Sequence, residues 1–388
     1  MTSTAHCRLC ERTQPLAPVA TCEVCGGPID VRYDFSEPVL PVPDDSPRSM
    51  WRYRHALPFD TEDAGTPGLT PLVSARRLSD ALGVDVLLKL ETANPTHSFK
   101  DRVAAAAVAA AQAFGFDTLC CASTGNLADA LAARCASSAL DSVILCPVAD
   151  LPPVPIPAYG ARVFAVEGSY DDCRRLEHEL AESFAWGFVG GNLHALASEG
   201  AKTIAYEIGE QLGGRLPDAV VTPAASGTLL AKLAQGFDEL LVDERPRLYG
   251  AQAGGCPPLA AAWADDRPAS RVRPATEVRS LAIGDPAFGD LAIGAARMSG
   301  GAILAVPEEE IAERTRLLAT LGGVYADSAG GVATGALIEL IRTGAISEGE
   351  QVVLVVTGTG LKPYGFEVET EAMEIPADID ALLAALGR

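Results

Sequence analysis

The sequence predicts an α/β protein with parallel sheets, preceded by a small metal-stapled module. Three observations carry that prediction. From Leu82 onward, short apolar runs alternate with helix-like segments, the order that parallel βαβ units impose. Near the N-terminus, four cysteines fall into two C-x2-C pairs. Several apolar runs end in glycine- and hydroxyl-bearing turns that open a helix, where open α/β sheets bind ligands.

The N-terminal module comes first. Cys7-Arg8-Leu9-Cys10 and Cys22-Glu23-Val24-Cys25 are separated by eleven residues, and Gly26-Gly27 follows the second pair. Four thiolates on two tight knuckles can close a tetrahedral shell, and a segment of about 30 residues cannot bury enough core to fold without such a staple. The spacing predicts a zinc ribbon with structural zinc on Cys7, Cys10, Cys22 and Cys25; free or redox thiols are the alternative. Catalytic zinc does not suit four thiolates, which leave no open position. Cys120, Cys121, Cys135, Cys146, Cys173 and Cys256 show no ligand spacing and are expected in the core.

After Tyr33-Asp34-Phe35 comes a proline-rich linker, residues 38–47. Strands are predicted at residues 84–90, 118–122, 142–147, 162–166, 219–222, 247–252, 303–306 and 351–357, most of them followed by helices. The four prolines of residues 151–157 rule out the helix that a doubly wound unit would place there.

The 388 residues are 48% apolar, enough for a large core divided among two or three domains. A formal net charge of -21 speaks against nucleic acid and anionic membranes, which want a basic face. An anionic small substrate must then be held by a few local donors. No segment has the form of a signal peptide or of a membrane span, and ten cysteines without an export signal suggest a reducing cytoplasm.

The lysine segment says most about chemistry. In Asn94-Pro95-Thr96-His97-Ser98-Phe99-Lys100-Asp101-Arg102 a strand gives way to a turn, then to an alanine-rich helix predicted over residues 103–114 with Ser98 as N-cap. Lys100 thus sits near the positive end of a helix dipole, where a cation is disfavoured by roughly 0.3 to 1 kcal/mol. The chain has only five lysines: Lys89, Lys100, Lys202, Lys232 and Lys362. An amine there suits a lowered pKa and bond formation with a cofactor aldehyde.

Three turns accompany it. Ser123-Thr124-Gly125-Asn126 makes either an anion site suited to a carboxylate or an ordinary helix cap. Ala224-Ala225-Ser226-Gly227-Thr228 repeats the arrangement and fits a phosphate, again with a plain strand-to-helix turn as the alternative. Thr357-Gly358-Thr359-Gly360-Leu361-Lys362 ends the most apolar strand and places a hydroxyl at its carboxyl end.

Together these segments, with Glu199-Gly200-Ala201-Lys202-Thr203 and Ala326-Asp327-Ser328-Ala329-Gly330-Gly331, resemble the fold type II (tryptophan synthase β-like) pyridoxal-phosphate enzymes. Within them the chain resembles the zinc-ribbon-bearing threonine synthases over nearly its whole length. The resemblance implies two doubly wound sheet domains behind a ribbon at residues 1–35. Residues 36–104 and 196–388 would form the large cofactor domain, and residues 105–195 a small mobile substrate domain. It also implies a homodimer acting on a small amino-acid substrate.

By that resemblance Lys100 holds pyridoxal 5'-phosphate and then moves protons at the substrate carbons, with Phe99 beside the cofactor. Asn126 would contact the cofactor's 3-hydroxyl, Ala225, Ser226, Gly227 and Thr228 its phosphate, and Thr357 its ring nitrogen. Ser123, Thr124, Gly125 and Asn126 would bind the substrate carboxylate, with His194 and Lys202 near the leaving group. A neutral hydroxyl at the ring nitrogen favours elimination and replacement over transamination. The implied reaction is loss of phosphate from Cγ of O-phospho-L-homoserine and addition of water at Cβ.

The chain departs from the family most where the substrate is gripped. Members commonly place an arginine or further polar groups before the Glu-Gly-x-Lys-Thr segment; this chain has His194-Ala195-Leu196-Ala197-Ser198. Neither His194, which reads equally as a loop or core histidine, nor Lys202 is an equivalent to a bidentate arginine. Residues 151–157 and Ala225, where glycine is usual, are further departures. The alternatives are β-replacement or β-elimination on another activated amino acid, as in cysteate-synthase-like or threonine-dehydratase-like enzymes, and a catalytically silent binding protein.

Overall fold

The N-terminal ribbon is a three-stranded antiparallel sheet of β1 (Thr2–Cys7), β2 (Thr13–Gln14) and β3 (Ile29–Asp34), in the order β2-β1-β3. The computed structural model describes residues 2–35, 38–61, 65–123, 125–150, 155–241, 244–362 and 372–387. Beyond the ribbon come β4 (Leu72–Ser74), β5 (Asp85–Leu90), β6 (Thr118–Ala122), β7 (Asp141–Pro147), β8 (Arg162–Glu167), β9 (Gly187–Phe188), β10 (Ala219–Pro223), β11 (Arg247–Ala253), β12 (Ala302–Val306), β13 (Gln351–Val356) and β14 (Ala372–Pro376). Six helices position the site: α1 (Lys100–Phe114), α2 (Asn126–Ser137), α3 (His194–Ser198), α4 (Thr203–Gln211), α5 (Thr228–Glu239) and α6 (Ser328–Arg342).

Two sheets form the body. One runs β12-β11-β10-β13-β5-β4, parallel throughout except for the antiparallel edge strand β4. The other runs β14-β8-β7-β6-β9, all parallel. Central strands such as β10 and β13 are covered on both faces, which is why they read as unbroken apolar runs. Every strand expected from the sequence forms, and the six cysteines assigned to the core are all buried.

Two readings change. Residues 155–158 form a single helical turn (Pro155–Ala158) where no helix was expected, while residues 151–154 lie outside the described part. The other concerns β14, which pairs with β8 in the second sheet and not with the sheet of its neighbours in sequence. The expected 196–388 domain therefore sends its last strand to the other sheet; an edge strand pairs where a neighbouring edge is open.

A buried set of charges fixes the lysine helix. Arg102 of α1 reaches Glu91 with Nε to Oε2 at 2.7 Å and Glu207 of α4 with Nη1 to Oε1 at 2.5 Å; Lys89 of β5 meets Glu207 at 2.7 Å. None of these side chains touches water. Charges so buried persist only when paired, so β5, α1 and α4 hold one relative position.

Candidate active site

Three of the four turns leave the same edge of one sheet. β10, β13 and β5 are consecutive parallel strands, and their carboxyl ends lead to the Ser226 turn, the Thr357 turn and the Lys100 turn. Strands lie about 4.8 Å apart, so the outer two turns flank the Thr357 turn about 10 Å from each other. The Lys100 and Thr357 turns are also joined directly. Phe99 donates its amide to the Thr357 carbonyl at 3.0 Å, Thr359 to His97 at 3.1 Å, and Ser98 bridges Gly358.

Lys100 opens α1 itself, one turn earlier than the sequence suggested, and Ser98 does not cap it. The Ser98 hydroxyl is buried without a partner. The Lys100 amine lies 4.7 Å from the centroid of the Phe99 ring, and no ion pair includes it among the described residues. Burial pushes its pKa down to about 8. An uncompensated amine of this kind is a ready nucleophile.

Gly227 is the N-cap of α5 with φ +85°. A Cβ there would stand 2.8 Å from both the Phe288 carbonyl oxygen and the Ala292 Cβ, so only glycine fits without displacement. The Ser226 and Thr228 hydroxyls are 2.9 Å apart beside it. The first amides of a helix lack intrahelical acceptors, and this start presents them to an anion. Ala225 precedes them, its carbonyl accepting from Gln252 at 3.4 Å.

From the other sheet β6 delivers Ser123, Gly125 and Asn126; Thr124 lies outside the described residues. The Ser123 hydroxyl accepts from the amides of Gly125 at 3.4 Å and Ala128 at 3.3 Å, so in this state it caps α2. The Asn126 amide faces Asp327, the N-cap of α6, across Gly358. A Cβ on Gly358 would come within 2.7 Å of Asp327 Oδ2 and 3.1 Å of Asn126 Nδ2. Sequence reasoning quoted Asp327 within its motif but gave it no role; its closeness to Asn126 across two elements left no local signal.

His194 is half-buried at the start of α3, edge-on to Phe288 with centroids 5.0 Å apart. Burial first, then the charges of Arg174, Lys100, Lys232 and Arg8, push its pKa down to about 3. It is therefore a neutral ring. Lys202 is not on the cleft, contrary to expectation. It is wholly buried against Glu199 at 3.0 Å and Glu239 at 2.9 Å, with its amine 3.4 Å from the Tyr33 ring centroid. The ribbon covers it, and two carboxylates hold its charge.

The profile of the family described as "Pyridoxal-phosphate dependent enzyme" matches residues 64–358. The chain belongs to the pyridoxal-phosphate dependent enzyme family. Curated relatives agree. It is 32% identical to the threonine synthase of Methanocaldococcus jannaschii over 97% of this chain and 98% of that one. It is likewise 32% identical to the threonine synthase of Methanosarcina acetivorans, over 95% and 94%. Solved structures share the fold. Maize serine racemase superposes with a TM-score of 0.65 at 17% identity, covering 76% of this chain and 90% of that one. The diaminopropionate ammonia lyase of Escherichia coli gives 0.67 at 18%, covering 77% and 86%.

The residues fit the family's cofactor. Lys100 offers an unpaired amine, the start of α5 offers a glycine-only phosphate cradle, and Thr357 lies between them on the middle strand. They also fit a metal in the ribbon. The four thiol sulfurs of Cys7, Cys10, Cys22 and Cys25 lie within 4.8 Å of one another, Cys7 to Cys25 at 3.4 Å and Cys10 to Cys22 at 3.8 Å. A tetrahedral zinc with 2.3 Å bonds needs sulfurs about 3.8 Å apart. Among the described residues no helix is long and apolar enough to cross a membrane.

Proposed function

We propose that this protein is a threonine synthase, removing phosphate from Cγ of O-phospho-L-homoserine and adding water at Cβ to give L-threonine. The observation that carries the reading is the match to curated threonine synthases over nearly the full length of both chains. The fold alone is shared with racemases and ammonia lyases and does not discriminate.

When bound, pyridoxal phosphate supplies the electron sink for charge left on the substrate carbons. The rest falls to the chain. Lys100 anchors the cofactor through its amine, which burial keeps ready to lose a proton, and afterwards carries protons between substrate carbons. Ser226, Gly227 and Thr228 hold the cofactor phosphate through helix-start amides. Asn126, steadied by Asp327, faces the ring hydroxyl, and Thr357 presents a neutral hydroxyl to the ring nitrogen. Ser123 and Gly125 bind the substrate carboxylate, where Ser123 exchanges its capping bonds for the ligand. Structural zinc in the ribbon, a homodimer and a cytoplasmic setting belong to the same reading.

The neutral His194 favours one competing reading, β-elimination or β-replacement on another activated amino acid, because it lends no positive charge to a leaving phosphate. Incubating the purified protein with O-phosphohomoserine and measuring phosphate and threonine tests both. Equimolar release supports threonine synthase. Inactivity there with turnover of O-phosphoserine or threonine favours the competitor.

A further inference from the structure

The first ribbon knuckle carries Arg8 between two cysteines, and its guanidinium carbon lies 5.0 Å from the centroid of the Phe288 ring. His194 meets the same ring edge-on, centroids 5.0 Å apart. Phe288 is also bound to the phosphate turn. Its amide donates to the Ser226 carbonyl at 2.9 Å, and its own carbonyl closes over Gly227. Arg8, His194 and the start of α5 therefore share one wall.

The other cations that act on His194 are committed. Lys232 holds Asp30 at 2.6 Å, Glu199 at 2.5 Å and Gln235 at 2.7 Å. Arg174 holds Glu177 at 2.6 Å and the Gly190 carbonyl at 3.0 Å. Lys100 is the cofactor anchor. Arg8 differs from all of these. Its Nε is buried with no hydrogen-bond partner, and among the described residues no ion pair includes its guanidinium. Burial disfavours its charge, and Asp30, Asp290 and Cys7 offset that without a hydrogen bond or ion pair to it among the described residues.

A buried donor without an acceptor is costly, and a planar guanidinium fork matches a phosphate better than any other side chain does. The ribbon is also held rigidly, since Asp30 pairs with Lys232 and the Tyr33 hydroxyl donates to Glu199 at 2.7 Å. Arg8 is thus presented in a fixed place. We propose that Arg8 is a phosphate-binding residue of the active site, donated by the ribbon to a phosphate monoester lying beside the Phe288 ring near the start of α5. This rests on the function proposed above. Two phosphates share that chemistry, one on the cofactor and one on the substrate.

Arg8→Met keeps the stem over Phe288 and removes the fork, while Arg8→Lys keeps the charge. Each variant is compared with wild type for zinc content and thermal melting, then titrated by absorbance with pyridoxal phosphate and with pyridoxal. The loaded proteins are titrated with O-phosphohomoserine and with homoserine. Arg8→Met is expected to lose about tenfold or more in affinity for a phosphorylated ligand, with Arg8→Lys in between. Loss for pyridoxal phosphate but not pyridoxal assigns Arg8 to the cofactor; loss for O-phosphohomoserine but not homoserine assigns it to the substrate. Unchanged affinities, or equal losses with and without the phosphate, overturn the proposal and leave Arg8 as packing. A wild type that binds no pyridoxal phosphate would instead defeat the proposed function.

Discussion

Arg102 and Glu207 meet out of water through two hydrogen bonds, Nη1 to Oε1 at 2.5 Å and Nη2 to Oε2 at 2.8 Å. Arg102 lies two residues beyond Lys100, the proposed cofactor anchor, so this pair fixes where the first turn of α1 stands. Removing the guanidinium would leave Glu91 and Glu207 buried with Lys89 as their remaining cation. Breaking a buried pair costs about 3–5 kcal/mol. Arg102→Met should therefore lower the unfolding free energy by that amount, read from the shift of the denaturation midpoint, and weaken cofactor retention; a loss under about 1 kcal/mol would show that the network is dispensable. Acid should act on the same cluster. Burial pushes the Glu207 carboxyl up, but Arg102 and then Lys89 hold it down to about 2, so its contribution is present above pH 4.5 and fades as pH falls towards 2.

Lys100 makes a pH-dependent prediction of the same sense in a higher window, although here the shift costs stability and does not add it. Its folded pKa of about 8 lies below the ordinary 10.5, so the protonated amine costs stability below pH 8, and that cost is relieved as pH rises between the two values. The neutral amine is the nucleophile. Uptake of pyridoxal phosphate by the cofactor-free protein should accelerate through a midpoint near pH 8 and then level off, followed by absorbance in a stopped-flow series. A rate still climbing at pH 10 would place the amine at its ordinary value. Lys100→Ala should keep the fold by circular dichroism and abolish both the lysine-dependent absorbance and turnover.

Gly227 tests the phosphate cradle. An alanine would carry a left-handed φ and press on Phe288 and Ala292, a strain of about 1–3 kcal/mol. Gly227→Ala should weaken pyridoxal phosphate binding by about tenfold or more and bind pyridoxal nearly as well as wild type. Equal weakening of both ligands would mean that the substitution damages the sheet edge as a whole.

Much of this architecture was legible because its signals are local. β5, β6, β10 and β13 are continuous apolar runs, as parallel strands covered on both faces must be, and each was placed to within a residue or so. The short edge strands β4, β9 and β14 carried too little pattern to read. The site divides along the same line. Lys100, Gly227 and Thr357 sit at strand ends, where residue type and backbone geometry coincide. Lys202 was expected near the leaving group, yet Tyr33 and Glu239, distant in sequence, bury it. Arg8 stands between two of the proposed zinc ligands with no role legible there, and only folding brings it to Phe288. Long-range ion pairing between the ribbon and the body has no periodicity, so no reading of one strand or helix could find it.

That pairing would make the proposed ribbon zinc a matter for the whole protein. β3 lends Asp30 to Lys232 and Tyr33 to Glu199, and Lys232 lies in α5, the helix whose start is the proposed phosphate cradle. A ribbon of this size needs its metal to fold. Cys22→Ser should bring zinc from one per chain to near zero, as read by elemental analysis. It should also remove one of the two carboxylates beside Lys232, leaving a buried ammonium half-compensated. The expected result is a loss of about 2–5 kcal/mol in the body's unfolding transition, with most secondary structure retained at 25 °C. Weaker pyridoxal phosphate binding should accompany it, because the first turns of α5 lose their outer support. A zinc-free variant with an unchanged transition and unchanged cofactor affinity would show that the ribbon is an appendage, and that the body carries Lys232 and Glu199 unaided.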